Sequence, residues 1–101
     1  MFKFSPIQEA QVLMCLLAHA KVDGEVNYDD DGVQEGFSHA HPNNNAIESK
    51  LYELAEDGVI LFEMIGDEGF KPIVMLRIGP KTHERLRELV LKIEAERTDL
   101  A

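Results

Sequence analysis

The sequence is poor in the residues that most often announce a chemistry. It holds one cysteine, Cys15, and no tryptophan in 101 residues. A single thiol builds no disulfide framework, and Cys15 stands in an apolar helical run, where it reads as a small buried hydrophobe. No apolar stretch approaches the roughly 20 residues of a membrane span. The opening MFKFSPIQEAQ turns polar at once and lacks a signal-peptide core, so a cytoplasmic address is expected. A Gly-rich phosphate loop, a nucleophile elbow and an HExxH motif are all missing, which points away from an enzyme and leaves no catalytic residue to name.

Positive charge is scarce as well. Nineteen Asp and Glu face ten Lys and Arg, a formal net charge of −9. The cations are scattered along the chain rather than clustered, whereas phosphate neutralisation needs them gathered. The balance lowers the expectation of nucleic-acid binding without removing it, because a local basic face suffices.

What is present describes one globular domain spanning residues 1–101, with 45% hydrophobic and 29% charged residues. Ser5-Pro6-Ile7-Gln8 is a helix start in which Ser5 caps, Pro6 takes the first position and Gln8 completes a capping box. Ile7, Ala10, Leu13, Met14, Leu17 and Ala20 recur at helical spacing, and Val12 and Leu16 widen the face. A face this broad suggests a second neighbour, which favours a homodimer. Gly24 reads as the stop of this helix.

Residues 23–45 form an acidic, irregular segment. DGEVNYDDDGVQEG carries six acids and no base, and Gly32 and Gly36 oppose regular helix. Val33 and Phe37, four apart, anchor one short helix that Asn27 or Asp29 would cap. Asn27-Tyr28-Asp29-Asp30-Asp31-Gly32 also fits the first half of a calcium loop, with Glu35 at the ninth position. Ser38 stands where the bidentate Glu belongs, so calcium binding by residues 27–35 is the minor reading. His39-Ala40-His41 offers two zinc ligands without a third at finger spacing, and His19 and His83 stand alone. No metal or cofactor is expected.

The run from Ala46 to Leu89 is the most informative. Ile47, Leu51 and Leu54 stripe a helix capped by Asn43, Asn44 or Asn45 and ended by Gly58. Val59-Ile60-Leu61-Phe62 and Ile73-Val74-Met75-Leu76 follow as strands around Gly66-Asp67-Glu68-Gly69, a hairpin signal. A last helix opens at Pro80 and buries Leu86, Leu89, Val90 and Ile93. Both strands are apolar on both faces, and a ribbon of that kind usually covers something on each side. Leu61, Ile65, Ile73 and Met75 are therefore the candidate partner interface.

This order resembles the recognition helix, wing and closing helix of winged-helix proteins, broadly of the MarR, PadR and ArsR type. LYELAEDGVI, the hairpin and LRIGPKTHERLREL carry the resemblance, from about Ser5 to Ile93. It implies an α+β, mainly helical fold: a winged helix-turn-helix with a two-stranded wing and a closing C-terminal helix. It further implies a recognition helix with Asn44, Asn45, Glu48, Ser49 and Tyr52 facing outward. If DNA is read, Asn44, Asn45, Ser49, Lys50, Tyr52 and Lys71 would read it. Glu48, Glu53 and the wing-tip pair Asp67-Glu68 would repel phosphates there. A non-catalytic protein-interaction module, or an inhibitor of a nucleic-acid-handling partner, is the favoured expectation. A dimeric transcriptional regulator bound to double-stranded DNA is the alternative, and neither involves a membrane.

Overall fold

The computed structural model describes residues 3–65 and 73–99; the side chains at 63–65, 73–74 and 98–99 lie outside that description. The order is α1 (Pro6–His19), β1 (Glu25–Asn27), α2 (Asp31–Ala40), α3 (Asn44–Glu56), β2 (Ile60–Ile65), β3 (Ile73–Ile78) and α4 (Pro80–Asp99). The fold is α+β, mainly helical, with the element order and closing helix of a winged helix. The sheet is antiparallel and has three strands in the order β1-β3-β2, so the hairpin carries a third strand drawn from the acidic segment expected to be irregular.

That third strand is short because its partner supplies most of what holds it. Val26, fully buried, faces Leu76 in register, with Glu25 opposite Arg77 and Asn27 opposite Met75. Arg77 closes the join: its guanidinium donates to the Asp23 carbonyl at 2.9 Å and to the Glu25 carboxylate at 2.8 Å. Gly24, with φ +89°, lies where a Cβ would come 2.9 Å from the Ile78 carbonyl oxygen. Its own carbonyl accepts from the Ile78 N–H at 2.9 Å. It is thus the corner that docks β1 on β3 and does not terminate α1, which ends at His19 with Ala20 extended.

The capping box at Ser5 and Gln8 forms as its sequence predicts. Along α1 the buried residues are Glu9, Ala10, Val12, Leu13 and Leu16. Ile7 and Met14, placed on the core stripe by their spacing, are instead 54% and 56% exposed. The helix is turned so that the Glu9–Leu13–Leu16 line faces inward.

Asp30 caps α2, where Asn27 or Asp29 was expected: its carboxylate accepts from the Gly32 and Val33 amides. Val33, Phe37 and Ala40 bury one face. The two glycines that argue against a helix here have a packing reason. A Cβ at Gly36 would overlap the Cys15 sulfur, and one at Gly32 would meet the His19 ring edge at 2.7 Å. The glycines let α1 and α2 approach closely. Cys15 is part-buried, and its thiol, whose Sγ lies 3.5 Å from the Val33 carbonyl oxygen, is pushed up by that burial and then by the Asp30 charge. A raised thiol is a poor nucleophile.

Asn43 caps α3. At the other end Gly58 takes φ +76°, the Val59 amide donates to Leu54 and the Gly58 amide to Ala55, a Schellman ending. Ile47, Leu51 and Leu54 are buried in the core with Phe37, Leu13, Leu16, Ile60 and Leu76. On α4 Leu89 is buried and Leu86 and Ile93 pack partly against the core, but Val90, expected inside, is 42% exposed. Thr82 is fully buried: its hydroxyl donates to the Val59 carbonyl at 2.6 Å and accepts from the Gly79 amide at 3.0 Å. It ties the start of α4 to the exit of α3.

Candidate interaction face on α3

Helical periodicity divides α3 cleanly. Ala46, Ile47, Lys50, Leu51 and Leu54 turn inward, whereas Asn44, Asn45, Glu48, Ser49, Tyr52, Glu53 and Glu56 are exposed. Asn44, Asn45, Glu48, Ser49 and Tyr52, expected to face outward, do so; Lys50, named with them as a DNA-reading residue, is on the buried side.

Lys50 is the only cation of α3, and it is 9% exposed. Its ammonium is in direct ion-pair contact with the Glu9 carboxylate, 3.4 Å from Glu53, and 5.7 Å over the Phe4 ring. Arg85 of α4 grips the same carboxylate, Nε donating at 2.9 Å and Nη2 at 3.3 Å. Glu9, 4% exposed, therefore pins α1 to α3 and α4 at once. Burial pushes its carboxyl up, but the bonds from Arg85 and Lys50 outweigh that and hold it below the usual carboxylate range. Arg85 is raised in turn by its bond to Glu9.

The physical reason for the correction is now visible. Lys50 falls three residues after Ile47 and four before Leu54, on the apolar stripe, and it is neutralised where it sits. The same spacing puts Glu9 four before Leu13. A charge on a buried stripe was the available sign of this pair.

With Lys50 withdrawn, the outward side of α3 bears Glu48, Glu53 and Glu56, with amides and one aromatic ring among them. Tyr52, 63% exposed, stacks on Phe62 of β2 with centroids 5.0 Å apart and planes 5° from parallel. Beside them the Tyr28 hydroxyl lies 3.5 Å from the Glu48 carboxylate, to which it donates. Tyr28 and Phe62 belong to this face, although the sequence places Tyr28 only in the acidic segment and Phe62 only on a strand. Aromatic character alone does not show which ring ends up at an edge.

The expected partner surface on the hairpin is described in part. Leu61 is 58% exposed and borders a wide cavity of about 470 Å³ between the β2–β3 pair and the start of α4, lined also by Arg77, Pro80, Lys81 and Glu84. Met75 is 8% exposed, because β3 is the central strand with β1 and β2 on either side; it is not the open surface residue expected. Ile65 and Ile73 pair across the ladder, but their side chains lie outside the described residues. So does the whole of 66–72, including Lys71 and the Asp67-Glu68 tip.

The calcium reading meets committed oxygens. Asn27 Oδ1 accepts from the Asp29 amide at 2.9 Å, and Asp30 is the cap of α2. Glu35 lies on the helix itself, 3.8 Å from His39. Among the described residues no three His, Cys, Asp or Glu side chains gather as a metal site. No helix among them is long and apolar enough to cross a membrane.

No protein-family model and no curated protein matches the sequence. Among solved structures, the chain is similar to the circadian clock associated protein Pex from Anabaena. The TM-score is 0.50 at 17% identity, covering 88% of this chain and 82% of that one. At that identity the similarity is one of fold.

Proposed function

We propose that this chain is a non-catalytic regulatory protein that engages a protein partner through the exposed side of α3 and the adjoining β2. It would act as an acidic interaction module or as an inhibitor of a nucleic-acid-handling partner. One observation carries the reading: the sole cation of the helix that would enter a DNA groove is buried on Glu9. The charged groups that remain outward on α3 are carboxylates, which repel phosphates while drawing cationic surfaces. The fold similarity to a circadian-clock-associated protein is compatible with regulatory work and says nothing of the ligand.

A second reading, a dimeric DNA-binding transcriptional regulator, draws on Asn44, Asn45 and Tyr52, which are outward and able to reach base edges or backbone. Pairing of two copies, common to both readings, is supported by uncovered apolar residues on α1 (Ile7, Met14) and α4 (Val90, Leu91). Analytical ultracentrifugation checks that point, a monomer at all concentrations being the contrary result.

Fluorescence anisotropy of a labelled mixed-sequence duplex, at low and at near-physiological salt, separates the two. The protein-partner reading expects no binding at low salt. Micromolar binding that collapses as salt rises would replace it with a phosphate-reading face.

A further inference from the structure

Between the end of β1, α3 and β2 lies a small slot of about 110 Å³. Tyr28, Glu48, Leu51, Tyr52 and Phe62 line it. Its floor and walls are aromatic and aliphatic, and among the described residues its one charged group is the Glu48 carboxylate and no cation lines it.

From this arrangement we infer that the slot receives an arginine side chain of a basic protein partner. The inference rests on the protein-partner reading above and gives that partner a chemistry.

Size is the first argument. A water takes about 30 Å³ in the liquid, so the slot has room for roughly three or four of them. That suits one compact planar head group.

The walls supply the second. Tyr52, stacked on Phe62, is still 63% exposed, so its ring keeps open surface where it lines the slot. A guanidinium packs on an aromatic ring through both its charge and its plane, which an ammonium does less well. Glu48 stands alongside to accept the guanidinium N–H groups in pairs. The Tyr28 hydroxyl, held protonated by burial and then by the Glu48 charge, already donates to that carboxylate and orients it.

Charge is the third. The slot opens on a helix face that also carries Glu56, in a protein of net charge −9. A cationic partner is concentrated there by the field before any contact forms.

The test is a two-dimensional NMR titration of the full chain with a glycine–arginine peptide of alternating sequence, run beside a glycine–lysine peptide of equal charge. Tyr52→Ala, Glu48→Gln and a remote control, Glu96→Gln, accompany the native protein. All three positions are exposed, and the free spectra verify folding. Shifts centred on Tyr28, Glu48, Tyr52 and Phe62 are expected, with the arginine peptide bound more tightly than the lysine one. Affinity should fall about fivefold in Tyr52→Ala and Glu48→Gln and hold in Glu96→Gln.

Equal affinity for both peptides would overturn the assignment to arginine. Shifts spread over the acidic surface, equal in all variants, would overturn the slot while leaving the partner-binding reading standing. Silence toward both peptides, with α3 shifts on adding duplex DNA, would overturn both.

Discussion

Lys50 and Glu9, one on α3 and the other on α1, form a buried ion pair that the Arg85 guanidinium completes from α4. The pair has two consequences. It joins three helices through one carboxylate, and it removes from α3 the charge a phosphate-reading helix needs.

Lys50→Met leaves the buried Glu9 carboxylate with Arg85 as its remaining cation, and should destabilise by about 1–3 kcal/mol. In a domain of this size that lowers Tm by several degrees, on the order of 4–8 °C per kcal/mol. The double variant Glu9→Leu with Lys50→Met should recover most of the loss, because no charge is then stranded; Arg85 keeps Glu88 at 3.8 Å as a partner. Thermal unfolding followed by circular dichroism measures both, and an unchanged Tm in Lys50→Met would mean the ammonium is not in the core.

The same pair sets an acid dependence. The Glu9 carboxyl is held below its ordinary value in the folded chain, so the folded state binds its proton less readily than the unfolded one. Its stabilisation is present in full above the unfolded value, near 4.5, and is lost as pH falls through the lower folded value. Tm should drop between about pH 5 and pH 3, and the drop should be shallower in Glu9→Gln. Identical pH profiles for the two proteins would contradict this.

Gly32 and Gly36 stand four apart on α2 and should respond in opposite directions to alanine. Alanine normally favours a helix over glycine by about 1 kcal/mol. At Gly32 the new Cβ meets the end of the His19 side chain, which can swing aside, so Gly32→Ala should be neutral or stabilising. At Gly36 it meets the Cys15 sulfur, held within the α1–α2 contact, so Gly36→Ala should cost about 1–3 kcal/mol. Adding Cys15→Ala should return most of it, and a double-mutant cycle by urea denaturation reads the coupling.

Thr82→Val keeps the shape and removes the hydroxyl. The Val59 carbonyl then loses a buried partner and the Gly79 amide a part-buried one. A loss of about 1–3 kcal/mol is expected by the same denaturation measurement. A loss within a few tenths would show that water replaces the hydroxyl.

The stretch from α3 to α4 was readable because its punctuation is local. Gly58 ends a helix by its own left-handed conformation, Pro80 opens one, and the β-branched runs between them have few other uses. β1 was not readable: Val26 between two polar residues acquires a strand's geometry only once Leu76 lies opposite. The glycines of α2 misled for a similar reason, since the helix they accommodate is α1, distant in sequence. Ile7, Met14 and Val90 fit helical periodicity, yet periodicity does not say which way a broad apolar face is turned. Lys50 was misplaced because a charged residue on an apolar stripe is ordinarily solvated; only the arrival of Glu9 and Arg85 from other helices makes its burial stable. The outward set of Asn44, Asn45, Glu48, Ser49 and Tyr52, which the winged-helix resemblance implies, is exposed.

The central claim is that α3 meets protein and not DNA, and a specific operator is the reading that a mixed-sequence duplex leaves standing. Selection from a random duplex pool at low salt addresses it directly. The account predicts that successive rounds enrich no consensus. Recovery of a consensus duplex whose binding is lost in Asn45→Ala or Tyr52→Ala would contradict it.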